Sequence, residues 1–251
     1  MNITPGIHPY SRLGSMEALE GAIILERKLD VASHNMANMK TAGYKKQEIT
    51  FEEYLLKQAD DTMRTAKGEK VWGDFSQGTI HKSDNPLDFA IEGEGYFVVQ
   101  TPRGNLYTRA GNFSLNENYQ LVTQQGYPVL ADGAPVELQD TTGKDIWLTQ
   151  DGYFFVDERQ GARLDIVTFQ NQQGLKRLGE NLFEQTGDSG PAQPADQRRV
   201  AQGYIEESNV NPVKSMINLI DLYRGYEAQQ KTLQAVDQIN DKAINQTGRV
   251  A

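Results

Sequence analysis

The sequence predicts an α+β fold, with a helix near each end of the chain and a central antiparallel β-rich domain between them. Three observations carry this reading. Apolar residues recur at helical steps near the N-terminus, they do so again after Asn211-Pro212, and between about Thr79 and Phe169 the period falls to two. The boundaries read as 1–60 for the first helix and the loop after it, 61–78 for a connector, 79–203 for the β-rich domain and 204–251 for the last helix.

The first helix is read from Met16, Leu19, Ile23, Leu29, Ala32 and Met36, with Glu17, Glu20, Glu26, Lys28 and Asp30 between them. So narrow a stripe leaves an isolated helix marginal in water, so it is expected to stay frayed until it meets a partner helix. Asn35 and Asn38 suit a helix end, and Gly43 is a natural terminator because glycine adopts positive φ without steric cost. Tyr44, Lys45 and Lys46 follow, and then a second apolar pattern of Ile49, Phe51, Tyr54 and Leu55 that reads as an amphipathic connector.

In the middle, Leu87, Phe89 and Ile91 alternate with Asp88 and Ala90. Runs at 96–99, 106–108, 113–115, 121–123, 146–148, 153–156 and 164–169 are rich in β-branched or aromatic residues. Turn formers such as Gly93-Glu94-Gly95, Asp132-Gly133, Thr142-Gly143 and Gln160-Gly161 separate them, as in a sandwich or partly closed barrel. Residues 174–202, rich in Gly, Pro, Gln and Asp, read as a loop returning from the sheet. Asn211 is then a good N-cap and Pro212 fits the first helical position. Met216, Leu219, Ile220, Leu222, Tyr223, Tyr226, Leu233, Val236, Ile239 and Ala243 form one broad face, interrupted by Gln229, Gln230, Asp237 and Asn240. Polar groups within such a face set register between helices.

Composition excludes several classes of function. With 25 basic and 34 acidic residues the net charge is −9, and no basic run supplies the face that duplex nucleic acid requires. The absence of cysteine removes disulfides, thiolate nucleophiles and Cys-ligated metals. No basic start with an apolar run marks a cleaved signal peptide, and no segment reaches the length of a membrane span. Gly93-x-Gly95 opens a strand rather than a helix, which argues against a nucleotide loop. His8, His34 and His81 are too scattered for a local metal motif. His81 with Asp84 or Asp88 could be drawn as an acid–base cluster of a hydrolase. The plainer reading is a polar turn at Ser83-Asp84-Asn85-Pro86, with Asp88 pointing outward between Leu87 and Phe89. No catalytic residue, cofactor, metal or small-molecule substrate is expected. A β module that binds glycans through Trp72, Tyr96 and Tyr127, with the helices as a stalk, also stays open on the residues alone.

Three stretches in order resemble the flagellar basal-body rod and hook family, over nearly the whole chain. The first is Leu29-Asp30-Val31-Ala32-Ser33-His34-Asn35-Met36-Ala37-Asn38-Met39-Lys40-Thr41-Ala42-Gly43-Tyr44-Lys45. The second comprises Gln77-Gly78-Thr79, the run from Asn85 to Phe97, and Tyr107-Thr108-Arg109-Ala110-Gly111-Asn112-Phe113. The third is the run from Gly203 to Val210 with Tyr223-Arg224-Gly225-Tyr226-Glu227. His34, Ile205 and Tyr119 depart from the family pattern. At Tyr119 a turn glycine is usual, which leaves Asn118 as the expected left-handed residue. Residues before Ile7 resemble an extension. The short connector from Tyr54 to Gly78 is more similar to the proximal-rod branch than to the distal-rod branch.

The resemblance implies a non-catalytic axial subunit, exported unfolded by the flagellar type III apparatus without a cleaved signal, whose terminal helices pair as an inner coiled-coil layer of a tube that crosses the periplasm and transmits torque. Its partners are then other rod subunits and neighbouring copies. The monomer is expected to have mobile ends around a β core that folds alone. The expected assembly interface is Leu25, Leu29, Ala32, Asn35, Met36, Asn38, Thr41, Gly43 and Tyr44 on one side. On the other it is Ser208, Asn209, Val210, Met216, Ile220, Tyr223, Tyr226, Leu233 and Val236.

Overall fold

The computed structural model describes residues 9–57, 63–138, 146–156, 159–195 and 199–247. The Thr142-Gly143 turn and the N-terminal extension before Pro9 lie outside the described residues, as do the side chains of Met16, Tyr54, Leu55, Asn240 and Ala243. In chain order, helix α1 (Pro9–Ala37) is followed by strands β1 (Gln47–Lys57), β2 (Met63–Gly73), β3 (Ile80–Lys82), β4 (Phe89–Glu92), β5 (Tyr96–Thr101) and β6 (Gly104–Thr108). Short strands come next: β7 (Ser114–Leu115), β8 (Leu121–Val122), β9 (Leu130–Ala131) and β10 (Ala134–Pro135). Then come β11 (Ile146–Leu148), β12 (Tyr153–Val156), β13 (Arg159–Arg163), β14 (Ile166–Thr168), β15 (Lys176–Gly179) and β16 (Leu182–Glu184). The chain closes with β17 (Gln193–Pro194), β18 (Arg199–Gln202), β19 (Tyr204–Glu206) and helix α2 (Pro212–Thr247).

The chain divides into two compact units. The first joins residues 1–37, 47–71 and 211–251; the second joins 38–46 and 72–210. In the first unit α1 and α2 pack together. The Gln229 amide donates to the Ala18 carbonyl at 2.8 Å and crowds Gly21, while Gly225 faces the Leu25 side chain. As α1 advances from 18 to 25, α2 retreats from 229 to 225, so the helices run antiparallel. Their shielded residues are spaced alternately by four and three: Ala18, Ala22, Leu25, Leu29, Ala32 and Met36 on α1, and Leu219, Leu222, Tyr226, Gln229, Leu233 and Val236 on α2. That alternation is the seam of a helix pair. Each helix therefore already has a partner inside the chain, which differs from the frayed ends expected above. Asn211 caps α2 as its sequence predicts, its side chain accepting from Lys214 N at 3.0 Å. The segment read as an amphipathic connector is instead the two-stranded β1–β2 sheet, with Lys28 over the Phe51 ring.

The second unit is built on a six-stranded antiparallel sheet in the order β15-β16-β6-β5-β14-β17. Successive side chains of a strand face opposite ways. On β5, Phe97 and Val99 enter one apolar cluster with Phe89, Phe113, Leu121 and Phe154. Tyr96 and Val98 enter a second with Tyr107, Phe169 and Phe183. Both faces of the central strand are thus covered, which explains why β5 is apolar without alternation. Phe183 and Leu182 are buried on β16, beside β6 in that sheet, so the stretch 174–202 carries four strands rather than a plain loop.

Candidate assembly interface and buried clasp

The expected interface residues fall into three groups. Leu25, Leu29, Ala32, Met36, Tyr226, Leu233 and Val236 lie on the α1–α2 seam within the chain. Met216, Ile220 and Tyr223 do not: they lie off the seam with Val213 and Ile217, and these five side chains stay 46% to 68% exposed. Leu19 and Ile23, which the stripe placed on the packing face of α1, are likewise exposed. The four-and-three spacing selects Ala18 and Ala22 for the seam in their place. Gln230 and Asp237 are also exposed, whereas Gln229 is a polar residue seated in the seam.

The third group lies in the loop after α1 and the segment before α2. Asn35 is buried, and in the first unit it closes a two-way pair with Gln47: its amide donates to Gln47 O at 2.7 Å, and Gln47 N donates to its Oδ1 at 2.8 Å. The remaining members belong to the second unit. Asn38 accepts from the Thr41 hydroxyl at 3.2 Å. Asn209 Oδ1 accepts from Lys46 N at 2.7 Å, and its amide donates to Asp74 O at 2.8 Å. Tyr44, Ser208 and Val210 are buried. The Arg177 guanidinium lies 4.9 Å from the centre of the Tyr44 ring and donates to Lys45 O. Burial pushes the Tyr44 hydroxyl above its ordinary value, against the opposing pull of Arg177.

At the centre of this group is a buried ionic cluster that no single motif announces. Glu206, 1% exposed, accepts from Lys45 Nζ at 2.6 Å, from Arg109 Nε at 2.6 Å and from Gly78 N at 3.0 Å. Lys45 Nζ also donates to Ser76 O at 2.7 Å. Arg109 donates three further N–H groups, to the carbonyls of Ile91, Gly93 and Gly95. Gly93-x-Gly95 therefore serves as an arginine receptacle. Desolvation lowers the Lys45 ammonium below the ordinary lysine value, and the Glu206 carboxylate opposes that shift.

Two glycines make the approach possible. Gly43 has φ +64°, donates to Glu206 O at 2.8 Å, and would place a Cβ 2.3 Å from the backbone carbon of Arg109. A Cβ on Gly78 would lie 1.9 Å from Glu207 O.

The alternative sites do not assemble. Asp84 is paired with Lys82 at 2.6 Å. Asp88 is buried and accepts from the Asn85 amide at 3.1 Å, which corrects its outward placement. Its backbone is tied to Gly203 N and to an isolated bridge with Asn112, which turn the residue into the unit. Among the described residues no cluster of His, Asp and Glu suits a metal, and no helix is long and apolar enough to cross a membrane. Tyr127 packs against the core, and Tyr96 is buried with its ring edge-on to Phe169 and Phe183, contributing to the wall of a small pocket beside Lys45, Arg109 and Gln172.

Residues 201–246 match the family described as flagellar basal body rod FlgEFG protein C-terminal, and residues 90–156 match the flagellar hook protein FlgE/F/G D1 domain. The chain is 32% identical to the flagellar basal-body rod protein FlgF of Mesorhizobium japonicum, covering 92% of this chain and 96% of the relative. It is 34% identical to the rod protein FlgG of Buchnera aphidicola subsp. Schizaphis graminum, covering 85% and 92%. It is 31% identical to FlgG of Bacillus subtilis, covering 90% and 96%.

Proposed function

This chain belongs to the flagellar basal-body rod protein family, a structural subunit of the basal body, and we propose that within the rod it is a proximal subunit of the FlgF kind. The reading has the chain exported unfolded by the type III apparatus and built into the periplasmic shaft through its terminal helices. The observation that carries the assembly part is the row Val213, Met216, Ile217, Ile220 and Tyr223. It lies outside the seam that α1 and α2 already fill. A helix with a second apolar row has a face to offer another helix. Stacking such pairs through both rows gives an inner coiled-coil layer. In this reading the seam residues Leu25, Leu29, Ala32, Met36, Tyr226, Leu233 and Val236 hold the pair, while Met216, Ile220 and Tyr223 meet a neighbour. Asn35 ties the end of α1 to β1 within the helical unit.

The proximal assignment rests on the short stretch between Tyr54 and Gly78, where the distal-rod branch carries a longer insertion. Relatives of both names lie at nearly equal identity, so the branch is decided by where assembly stops. In a strain lacking this chain, purified basal bodies should stop with the proximal rod itself incomplete, and a plasmid copy should restore them. Basal bodies with a complete proximal rod and only the distal part missing would overturn the assignment.

A further inference from the structure

The buried cluster of Lys45, Arg109 and Glu206 has a consequence for the order in which the second unit closes. Its two cations and one carboxylate come from three distant parts of the chain and are 2%, 5% and 1% exposed. Arg109 is held independently, by the carbonyls of Ile91, Gly93 and Gly95 around the β4–β5 turn. Lys45 is not: its ammonium reaches only Glu206 and Ser76 O. Asp74, a further carboxylate that acts on Lys45, is tied to Ser76. With Glu206 absent, seating Lys45 would bring a second buried cation next to Arg109 without a counter-charge, a strongly unfavourable arrangement. The rest of the 38–46 segment leans on the same late stretch of chain: Gly43 N donates to Glu206 O, Asn209 N to Tyr44 O, and Lys46 N to Asn209 Oδ1. The large apolar cluster of the sheet takes its members from Leu87 to Val200 and includes none of these residues.

We infer that Glu206 is a charge latch: residues 38–46 dock onto the β unit only after strand β19 has delivered the Glu206 carboxylate between Lys45 and Arg109. The sheet closes first, β19 adds to β3, and the segment that follows α1 seats last. The 38–46 segment then cannot close on the sequence near it, since Lys45 waits for Glu206, 161 positions later in the chain. This order is a property of the isolated chain and holds whichever shaft position the chain takes.

The test is amide exchange on the full-length chain. During refolding of the wild type under pulse labelling, the amides of Val98 and Gln100 in the sheet should gain protection first. Glu207, bonded to Thr79 O, should follow, and Gly43 and Asp74, bonded to Glu206 O and Lys46 O, should come no earlier than Glu207. At equilibrium, Glu206→Gln should speed exchange at Gly43 and Asp74 by about a hundredfold or more and leave Val98 and Gln100 at wild-type rates. Adding Lys45→Met to Glu206→Gln should recover most of that protection. The double variant leaves the pocket with the single positive charge of Arg109, equal to the wild-type sum of +1 + 1 − 1. Protection of Gly43 before Glu207, or wild-type exchange at Gly43 in Glu206→Gln, would overturn the inference. So would loss of Val98 and Gln100 along with Gly43, or a double variant as unprotected as the single one.

Discussion

Replacing Ile220 by aspartate separates assembly from folding. Ile220 lies off the α1–α2 seam and is 46% exposed, in a row with Val213 at 68%, Met216 at 57%, Ile217 at 56% and Tyr223 at 55%. Full burial of a large apolar side chain is worth roughly 1.5 to 3 kcal/mol. About half of that is still available at each of these positions, so covering the row with a neighbouring helix stabilises the contact by about 5 kcal/mol. Ile220→Asp removes about 1 kcal/mol of that gain. It also forces a carboxylate into an apolar contact, at a further cost of roughly 2 kcal/mol or more. The sum of about 3 kcal/mol weakens the contact by roughly a hundredfold, since 1.4 kcal/mol is a factor of ten. In the monomer the side chain is solvated, so the change should stay within about 0.5 kcal/mol. The assay is therefore paired: helix melting of the purified chain by circular dichroism, then swimming and basal-body recovery in the complemented deletion strain. Leu233→Asp, placed in the intrachain seam, should lower both readouts. Wild-type swimming and intact basal bodies with Ile220→Asp would refute the reasoning.

Two further outcomes follow from local geometry. Tyr119 is held at φ +58° and is 47% exposed; relief of that strain, about 1 kcal/mol or somewhat more, outweighs the extra chain entropy of glycine. Tyr119→Gly should therefore raise the unfolding free energy by a net of about 0.5 kcal/mol, read as a higher urea midpoint, and a lower midpoint would mean that the exposed ring carries a contact worth more than the strain. Burial raises the hydroxyl of Tyr96, and those of Tyr44 and Tyr107 as well, above the ordinary value of 10.0. The folded chain then keeps protons that the unfolded chain releases, so this stability is present below pH 10 and is lost as pH rises through the folded values. Lys45, lowered by desolvation, acts in the opposite sense below its ordinary 10.5. Tyr96 has the largest tyrosine shift, so Tyr96→Phe should flatten the alkaline fall in melting temperature, and an unchanged slope would assign the fall elsewhere.

Periodicity reports elements well and faces less well. The two helices and the strands at β5, β6, β11 and β12 follow directly from the apolar spacing. The stripe on α1 mixes two faces, because a helix that packs on one side and exposes apolar side chains on the other shows a blurred period. Leu19 and Ile23 were drawn into the seam for that reason, although small Ala18 and Ala22 let the helices approach. Strands of two to four residues, such as β16 and β17, are too short to display a period among Gly, Pro and Gln. At the 116–120 turn, Asn116 Oδ1 accepts from both Asn118 N and Gln120 N. That geometry fixes the turn so that the left-handed position falls on Tyr119 rather than Asn118, as in a type I turn closed by a bulge residue. The ionic cluster is not legible in the sequence, because Lys45, Arg109 and Glu206 lie in three distant motifs and only the fold brings them within 2.6 Å contacts.

The family-like motifs and the exposed apolar row do different physical work, and the contrast explains why one is written in specific residues and the other is not. A row that covers a neighbouring helix needs only apolar volume, which Val, Met, Ile and Tyr supply interchangeably. The clasp has no such latitude. Gly43 must tolerate φ +64° with the Arg109 backbone 2.3 Å from where a Cβ would stand, and Gly78 must clear Glu207 O at 1.9 Å. Lys45 and Arg109 must both find one carboxylate. Asn209 must accept from Lys46 N while donating to Asp74 O. Each demand is met by one residue type, and together they tie the 38–46 segment to the stretch 206–209 within the β unit: Asn209 N donates to Tyr44 O, and Gly43 N to Glu206 O.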